Sequence, residues 1–339
     1  MPDQIQDTAL IDVHAHFLTD HYVRAAQAAG MTQPDGMPMW PSWSVADHLQ
    51  LMDDSRIARA ILSISSPGVH FGDDTAAAEL GRHVNQFAAD VTAEHQDRFA
   101  FFASLPLPCV DAAVDEVTYA MDTLGALGVV LMSNSGGVYL GDPALDPLWD
   151  VLNRRRGIVF VHPTSPPHVD STALGRPSPM LEFMFETTRT VTDLIFAGVQ
   201  ERYSDIRFLI PHCGATLSVV VDRVELFRGL LPGSHDRAQS VLTTRQQLQR
   251  FWYDLAGTPF PAPAKAPRRR RRIRAVALRQ RLLLDACHGR RPPGDGHGTA
   301  VDGLAVGDHC QRQASPGLGA DELERWVVVS SVVSSRAKP

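Results

Sequence analysis

The chain has 339 residues, of which 44% are apolar and 21% charged, and its formal net charge is −6. This composition suits a globular protein and excludes a collagenous, fully disordered or membrane-embedded one. The length allows one large α/β barrel or two ordinary domains, and the overall charge gives no reason to expect a polyanionic partner.

Seven short apolar runs of strand type occur in order: Leu10 to Val13, Ala60 to Ile64, Phe99 to Leu105, Gly128 to Met132, Ile158 to Val161, Ile206 to Ile210 and Phe251 to Leu255. Their length and apolar character predict buried parallel strands. Amphipathic stretches lie between them, at Val45 to Ser55, Ala76 to His95, Asp111 to Leu124, Pro143 to Arg156, Leu181 to Tyr203 and Leu217 to Leu230, and these predict helices. Ser44 with Asp47 three residues on resembles a capping box, and Gly157 follows Asn153 to Arg156 as a helix stop. Seven βα units in about 250 residues match a (β/α)8 TIM barrel better than an open doubly wound sheet. No GxGxxG or GxxxxGK[ST] phosphate loop argues for the latter. The eighth strand is expected near residue 280, where neither a strand nor a barrel-helix pattern stands.

The four cysteines, Cys109, Cys213, Cys287 and Cys310, show no CxxC spacing, and the first residues carry no secretory pattern. A reducing cytoplasm is the expected compartment. The late apolar stretch Trp326 to Val329, then Val332 to Val333, is far short of the ~20 residues of a membrane helix, so no membrane association is expected.

Histidines mark three strand ends. In Ile-Asp-Val-His14-Ala-His16, alternation with period two sends His14 and His16 to one side, about 6.5 to 7 Å apart by Cα, which suits two imidazoles converging on a cation. His162 ends the fifth strand in VFVHPTSP and His212 the sixth in FLIPHCGA. In a TIM barrel these tips share one catalytic mouth. Neutral imidazoles are ligands for Zn²⁺ and its neighbours, and a catalytic site needs about three protein ligands with one position open. The other histidines, His21, His48, His70, His83, His95, His168 and His235, read as surface residues.

Taken together, IDVHAHF, VFVHPTSPP, IPHCGAT and FWYDLAGTPFP resemble the amidohydrolase-related metal-dependent enzymes of the aminocarboxymuconate-semialdehyde decarboxylase type, over residues 10 to about 261. The resemblance implies a (β/α)8 barrel in which His14, His16 and His162 bind a divalent ion, commonly Zn²⁺ with Mn²⁺ as the alternative. His212 then sits beside the ion and handles protons. Some relatives carry an acid three places after this histidine; here that position is Ala215. The resemblance also places Arg223, eleven residues after His212, where such decarboxylases bind a substrate carboxylate in the neighbouring subunit's site, which implies a homodimer. Spacing alone leaves Arg223 an ordinary surface arginine paired with Asp222 or Glu225. The implied reaction is loss of CO₂ from an unsaturated or aromatic carboxylic acid, the ion binding the substrate or a water whose pKa it lowers. Metal-dependent hydrolysis of a lactone, amide or ester is the alternative.

The family pattern further calls for an aspartate after strand eight, in a Gly-Ser-Asp motif. None is present, and Asp285 in LLLDACH lacks the preceding turn. The tail differs in kind from the rest. Residues 1–262 hold 17 basic and 31 acidic residues (net −14), whereas residues 263–339 hold 15 and 7 (net +8). All 14 Phe and all 5 Tyr lie at or before Phe260, leaving Trp326 as the only large ring beyond it, and a segment without aromatics builds a core poorly. Codons can be chosen for Ile273 to Cys287 that, shifted by one nucleotide, read Ser-Glu-Arg-Leu-Leu-Tyr-Gly-Ser-Asp-Tyr-Cys-Trp-Thr-Pro-Ala, the missing motif. The expectation is therefore an incomplete barrel over 1–262 and an out-of-frame tail over 263–339, which leaves open an inactive product. The run Arg268 to Arg272 has no binding fold around it and does not argue for nucleic acid.

Overall fold

The computed structural model describes residues 10–230 and 240–257 and the backbone of 327–329. Seven strands follow the predicted runs: β1 (Leu10–His16), β2 (Ile57–Ser63), β3 (Phe99–Ser104), β4 (Gly128–Met132), β5 (Ile158–His162), β6 (Arg207–Ile210) and β7 (Trp252–Tyr253). An eighth, β8 (Val327–Val329), lies parallel to β1, with Leu10 opposite Val327. The sheet order is β8-β1-β2-β3-β4-β5-β6-β7, all neighbours parallel. No pairing joins β7 to β8 among the described residues, so this is a (β/α)8 barrel left incomplete at its last unit. The eighth strand expected near residue 280 falls outside the described residues, and the strand beside β1 is formed by 327–329. Asp285 and Arg268 to Arg272 lie outside the described residues.

The principal helices are α1 (Asp20–Ala28), α2 (Val45–Asp54), α3 (Asp74–Glu94), α4 (Val110–Asp122), α5 (Asp146–Arg154), α6 (Glu182–Ala197), α7 (Leu217–Leu230) and α8 (Thr244–Leu248). The stretch 181–203 predicted one helix. It is broken at Gly198, whose φ of 68° is the left-handed conformation that ends α6 before a short turn at Val199–Arg202. Ser44 caps α2 by accepting from the Asp47 amide at 3.1 Å, as expected. α1 was not read from the sequence, and its nine residues bury only Tyr22 and Ala26.

Two apolar layers hold the sheet. Ile11, Val13, Ile61, Ala100, Phe102, Val130, Ile158, Phe160 and Leu209 fill the barrel interior. The larger layer packs the outer faces of the strands against the helices, around Trp149, Phe99, Phe101 and Phe208. β1 changes sides between them. Relative to β2 it gains one residue between Asp12 and Ala15, a bulge. Ile11 and Val13 face the interior layer before it, and Ala15 and Phe17 face the outer layer after it. His14 and His16 therefore turn inward together at the barrel's C-terminal end.

Candidate metal centre

Three parallel strands deliver four imidazoles to one place. His14 and His16 end β1, His162 ends β5, and His212 follows β6 after Pro211. Ring centroids are 4.8 Å apart for His14–His16, 5.0 Å for His14–His162 and 4.8 Å for His16–His162, and His212 lies 5.2 Å from His14. One ligand nitrogen from each of His14, His16 and His162 falls within 4.8 Å of the other two, so the cluster can bind a divalent metal.

The donors suit an ion because each ring is held by its other nitrogen. His14 Nδ1 donates to Asp254 Oδ2 at 2.7 Å, His162 Nδ1 to the Pro163 carbonyl at 2.7 Å, and His16 Nδ1 to the Ser63 carbonyl at 3.3 Å. An imidazole that donates from Nδ1 leaves the Nε2 lone pair for a metal. Among the described residues nothing hydrogen-bonds to those three Nε2 atoms. Burial, reinforced by the neighbouring histidines, holds His16 and His162 well below the ordinary histidine pKa, so both stay neutral and able to ligate.

His212 is set differently. It sits in a tight turn in which His212, Cys213, Gly214 and Ala215 all have positive φ, 56°, 55°, 78° and 52°. Gly214 is required there, since a Cβ would come within 2.8 Å of the Tyr253 ring. The turn is pinned by Asp254: the His212 amide donates to Oδ1 at 2.7 Å and the Cys213 amide to its carbonyl at 3.1 Å. The His212 Nδ1 is buried with no partner. Burial and the nearby His14 lower its pKa to about 4.

Asp254 was missed in the sequence reading although it stands in the FWYDLAG motif. It is fully buried just past β7, with Oδ2 on His14 and Oδ1 on the amides of His212 and Ala256, the latter at 3.0 Å. One carboxylate therefore orients a ligand-type histidine and the proton-handling candidate together. Against its burial, His14 and these donors keep it below the usual carboxylate range. The available signal was an acid directly after two aromatic strand residues at a strand tip. His48, read as a surface residue, is instead 3% exposed on the inner face of α2, where it accepts from Trp43 Nε1 at 2.9 Å. Its spacing of four from buried Met52 was the overlooked sign.

Arg223 does not join the cluster within its own chain. It is exposed on α7, with its guanidinium 5.1 Å from the Phe227 ring. Its expected partners are engaged elsewhere, Asp222 with Arg245 and Glu225 with the Thr244 amide. Over the histidines lies a cavity of about 470 Å³, walled by Trp40, Trp43 and Phe183 and reached by Asp35.

The amidohydrolase family pattern matches residues 11–284. The chain belongs to the amidohydrolase family. Decarboxylase yanB of Aspergillus niger is 36% identical to this amidohydrolase over 260 residues, covering 73% of this chain and 68% of the relative. The 6-methylsalicylic acid decarboxylase acuB of Aspergillus aculeatus is 33% identical over 253 residues, covering 73% and 76%. A crystal structure described as an amidohydrolase II superposes with a TM-score of 0.70 at 33% identity, covering 76% of this chain and 82% of that one. No helix among the described residues is long and apolar enough to cross a membrane.

Proposed function

We propose that this amidohydrolase is a metal-dependent carbon–carbon lyase that removes CO₂ from an aromatic or unsaturated carboxylic acid. The observation that carries the reading is the three-histidine cluster, His212 beside it, under an aromatic-walled cavity of about 470 Å³ that admits a ring. The two relatives named as decarboxylases support it. His14, His16 and His162 hold the ion, zinc suiting three neutral imidazoles best and manganese being the alternative. A bound divalent ion supplies electrostatic stabilisation of the substrate's carboxylate or an adjoining oxygen.

In this reading the indole and phenyl faces of Trp40, Trp43 and Phe183 clasp the ring and exclude water. An anionic substrate in the cavity raises the affinity of His212 for a proton, which it passes to the carbon bearing the carboxylate. The carbon–carboxylate bond then breaks, its electron pair restores the conjugation, and CO₂ leaves with the proton in its place.

The proposal extends to a homodimer. Arg223 lies on a face of α7 where Val219, Leu226 and Leu230 are 75%, 57% and 62% exposed, with Phe185 of α6 also exposed. Covering such a face with a second copy would carry Arg223 towards another subunit's cavity, where its planar fork can bind a carboxylate. Mixed dimers of Arg223→Ala with His212→Ala should regain one working site in that case. The free Cys109 and Cys213 suit a reducing, cytoplasmic setting. Residues 263–339 fit an out-of-frame tail by their charge inversion and missing aromatics, and resequencing the locus tests that.

The deciding experiment measures CO₂ release against acid formation on a panel of muconates, hydroxybenzoates and lactones, using both this chain and a frame-corrected one with their metal analysed. Lactone opening without CO₂ release would replace the lyase by a hydrolase.

A further inference from the structure

Asp35 is used by nothing described so far. It lies in the turn Pro34-Asp35-Gly36 between α1 and α2, with φ 52° and ψ 28°, a left-handed conformation that aspartate tolerates better than most side chains. The turn is held on both sides. Pro34 is buried, and Gly36, at φ 76°, packs so closely on Pro177 that a Cβ would sit 3.2 Å from its Cα. Asp35 lines the cavity that His14, His16, His162 and His212 also line.

The hydrogen bonds behind this carboxyl all point one way. Ser165 Oγ donates to Asp35 Oδ1 at 2.6 Å, and since its one proton is spent there, Ser178 Oγ, 2.7 Å away, donates to Ser165. The Ser66 hydroxyl, which bonds to Thr164 Oγ1 at 2.7 Å, lies near enough to Asp35 to lower its pKa. The chain from Ser178 through Ser165 thus ends on Asp35 as its acceptor, an arrangement that strengthens each link. Burial raises the carboxyl above its usual range, and Ser165 and Ser66 offset only part of that. A carboxylate has about four lone-pair positions, and the Ser165 hydroxyl and amide with the Ser66 hydroxyl leave room for one more donor.

The geometry points to Asp35 as a specificity-determining residue that accepts a hydrogen bond from a hydroxyl on the ring of the bound acid, setting the ring's orientation over the histidines. A negative acceptor opposite a metal site sorts the two ends of such a ligand: the carboxylate is repelled from Asp35 and the hydroxyl is drawn to it. An acid whose hydroxyl is methylated offers Asp35 no proton and forces a buried carboxylate to go unpaired. The inference rests on the aromatic-acid reading of the site and adds to it a named residue and a required substituent.

The test uses the full 339-residue chain and the fluorescence of Trp40 and Trp43, titrating the three hydroxybenzoates and their methoxy counterparts. The expected result is that at least one hydroxybenzoate binds 10-fold or more tighter than its methoxy partner. In Asp35→Asn, which still accepts from Ser165 but presents an amide donor to the cavity, that preference should fall at least 5-fold. Bound metal and thermal midpoint, unchanged in the variant, would separate this role from mere support of the turn. Equal binding of hydroxy and methoxy acids by the wild-type chain, or a preference that survives in Asp35→Asn, would overturn the role of Asp35 and leave the aromatic-acid reading intact. Binding of none of the six acids would overturn both.

Discussion

Two buried polar clusters lie near the same end of the barrel and differ in one respect. Around Glu186, which is fully buried on α6, the carboxylate accepts from Asn134 Nδ2 at 2.9 Å, from the Tyr139 hydroxyl at 3.0 Å, from Arg189 Nε at 2.8 Å and from Ser133 Oγ at 3.4 Å. Every group there is answered by protein. Around His14, His16 and His162, each ring is answered on Nδ1 and left open on Nε2. The first cluster is closed within the protein and holds the fold together, whereas the second lines a cavity with three imidazole nitrogens open to a ligand. The site is marked by open imidazole nitrogens that converge on one cavity.

His48 sharpens the contrast with a single residue type. It accepts from Trp43 at Nδ1, so its proton sits on Nε2, which is buried without a partner. The cluster histidines carry the opposite tautomer, fixed by carbonyl and carboxylate acceptors. Only the latter present a lone pair to the cavity.

The comparison is open to four tests. The largest effect is expected from His14→Ala combined with His16→Ala: bound divalent metal should fall from one per chain to none by elemental analysis, with any CO₂ release abolished. Stoichiometric metal in the double variant would break the site assignment. Next, Glu186→Ala should destabilise the protein by about 2 to 4 kcal/mol in denaturant melts, because it strands several buried donors and opens a cavity, while bound metal is kept. His16→Ala, by contrast, should change the metal-free protein's stability by less than about 1 kcal/mol. Equal losses in the two variants would erase the distinction between the clusters.

A smaller effect belongs to Asp254→Asn, which preserves the shape at His14 and His212 but removes the charge that makes His14 a stronger donor. Metal affinity should weaken about 10- to 100-fold by competitive chelation, with the fold unchanged by circular dichroism. The smallest concerns pH. Burial lowers His48 to about 4, against about 6.5 in the unfolded chain, so the unfolded state binds more protons between those values. Its contribution to stability is complete above pH 6.5 and is lost as pH falls towards 4, amounting to about 1 to 2 kcal/mol at pH 5. His48→Gln, whose amide can still accept from Trp43, should flatten that part of the stability profile; an unchanged slope would show that His48 does not drive it.

The strands were legible because parallel strands buried on both faces read as unbroken apolar runs, and all seven predicted runs are strands. The histidines were legible because a barrel brings its strand tips together, so a residue's position at a tip already implies its neighbours. Asp254 escaped because a lone acid in a chain rich in acids carries no signal until β7 is set beside β6 and its carboxylate is found between His14 and the His212 amide. His48 escaped because an amphipathic helix does not by itself say how deeply its polar residues on the border sit.

By itself, then, the sequence determined the alternation of strands and helices, the barrel class and the three strand ends that carry histidine, since these follow from local pattern and from a topology that leaves few choices. Tertiary structure alone decided the rest. The bulge in β1 that turns His14 and His16 inward together, the tautomers of His14 and His16 fixed by Asp254 and Ser63, and the turn that brings Asp35 to the cavity all depend on groups 47 to 240 residues away in the chain or on pairing register. Such contacts are decided by packing, and no local pattern encodes them.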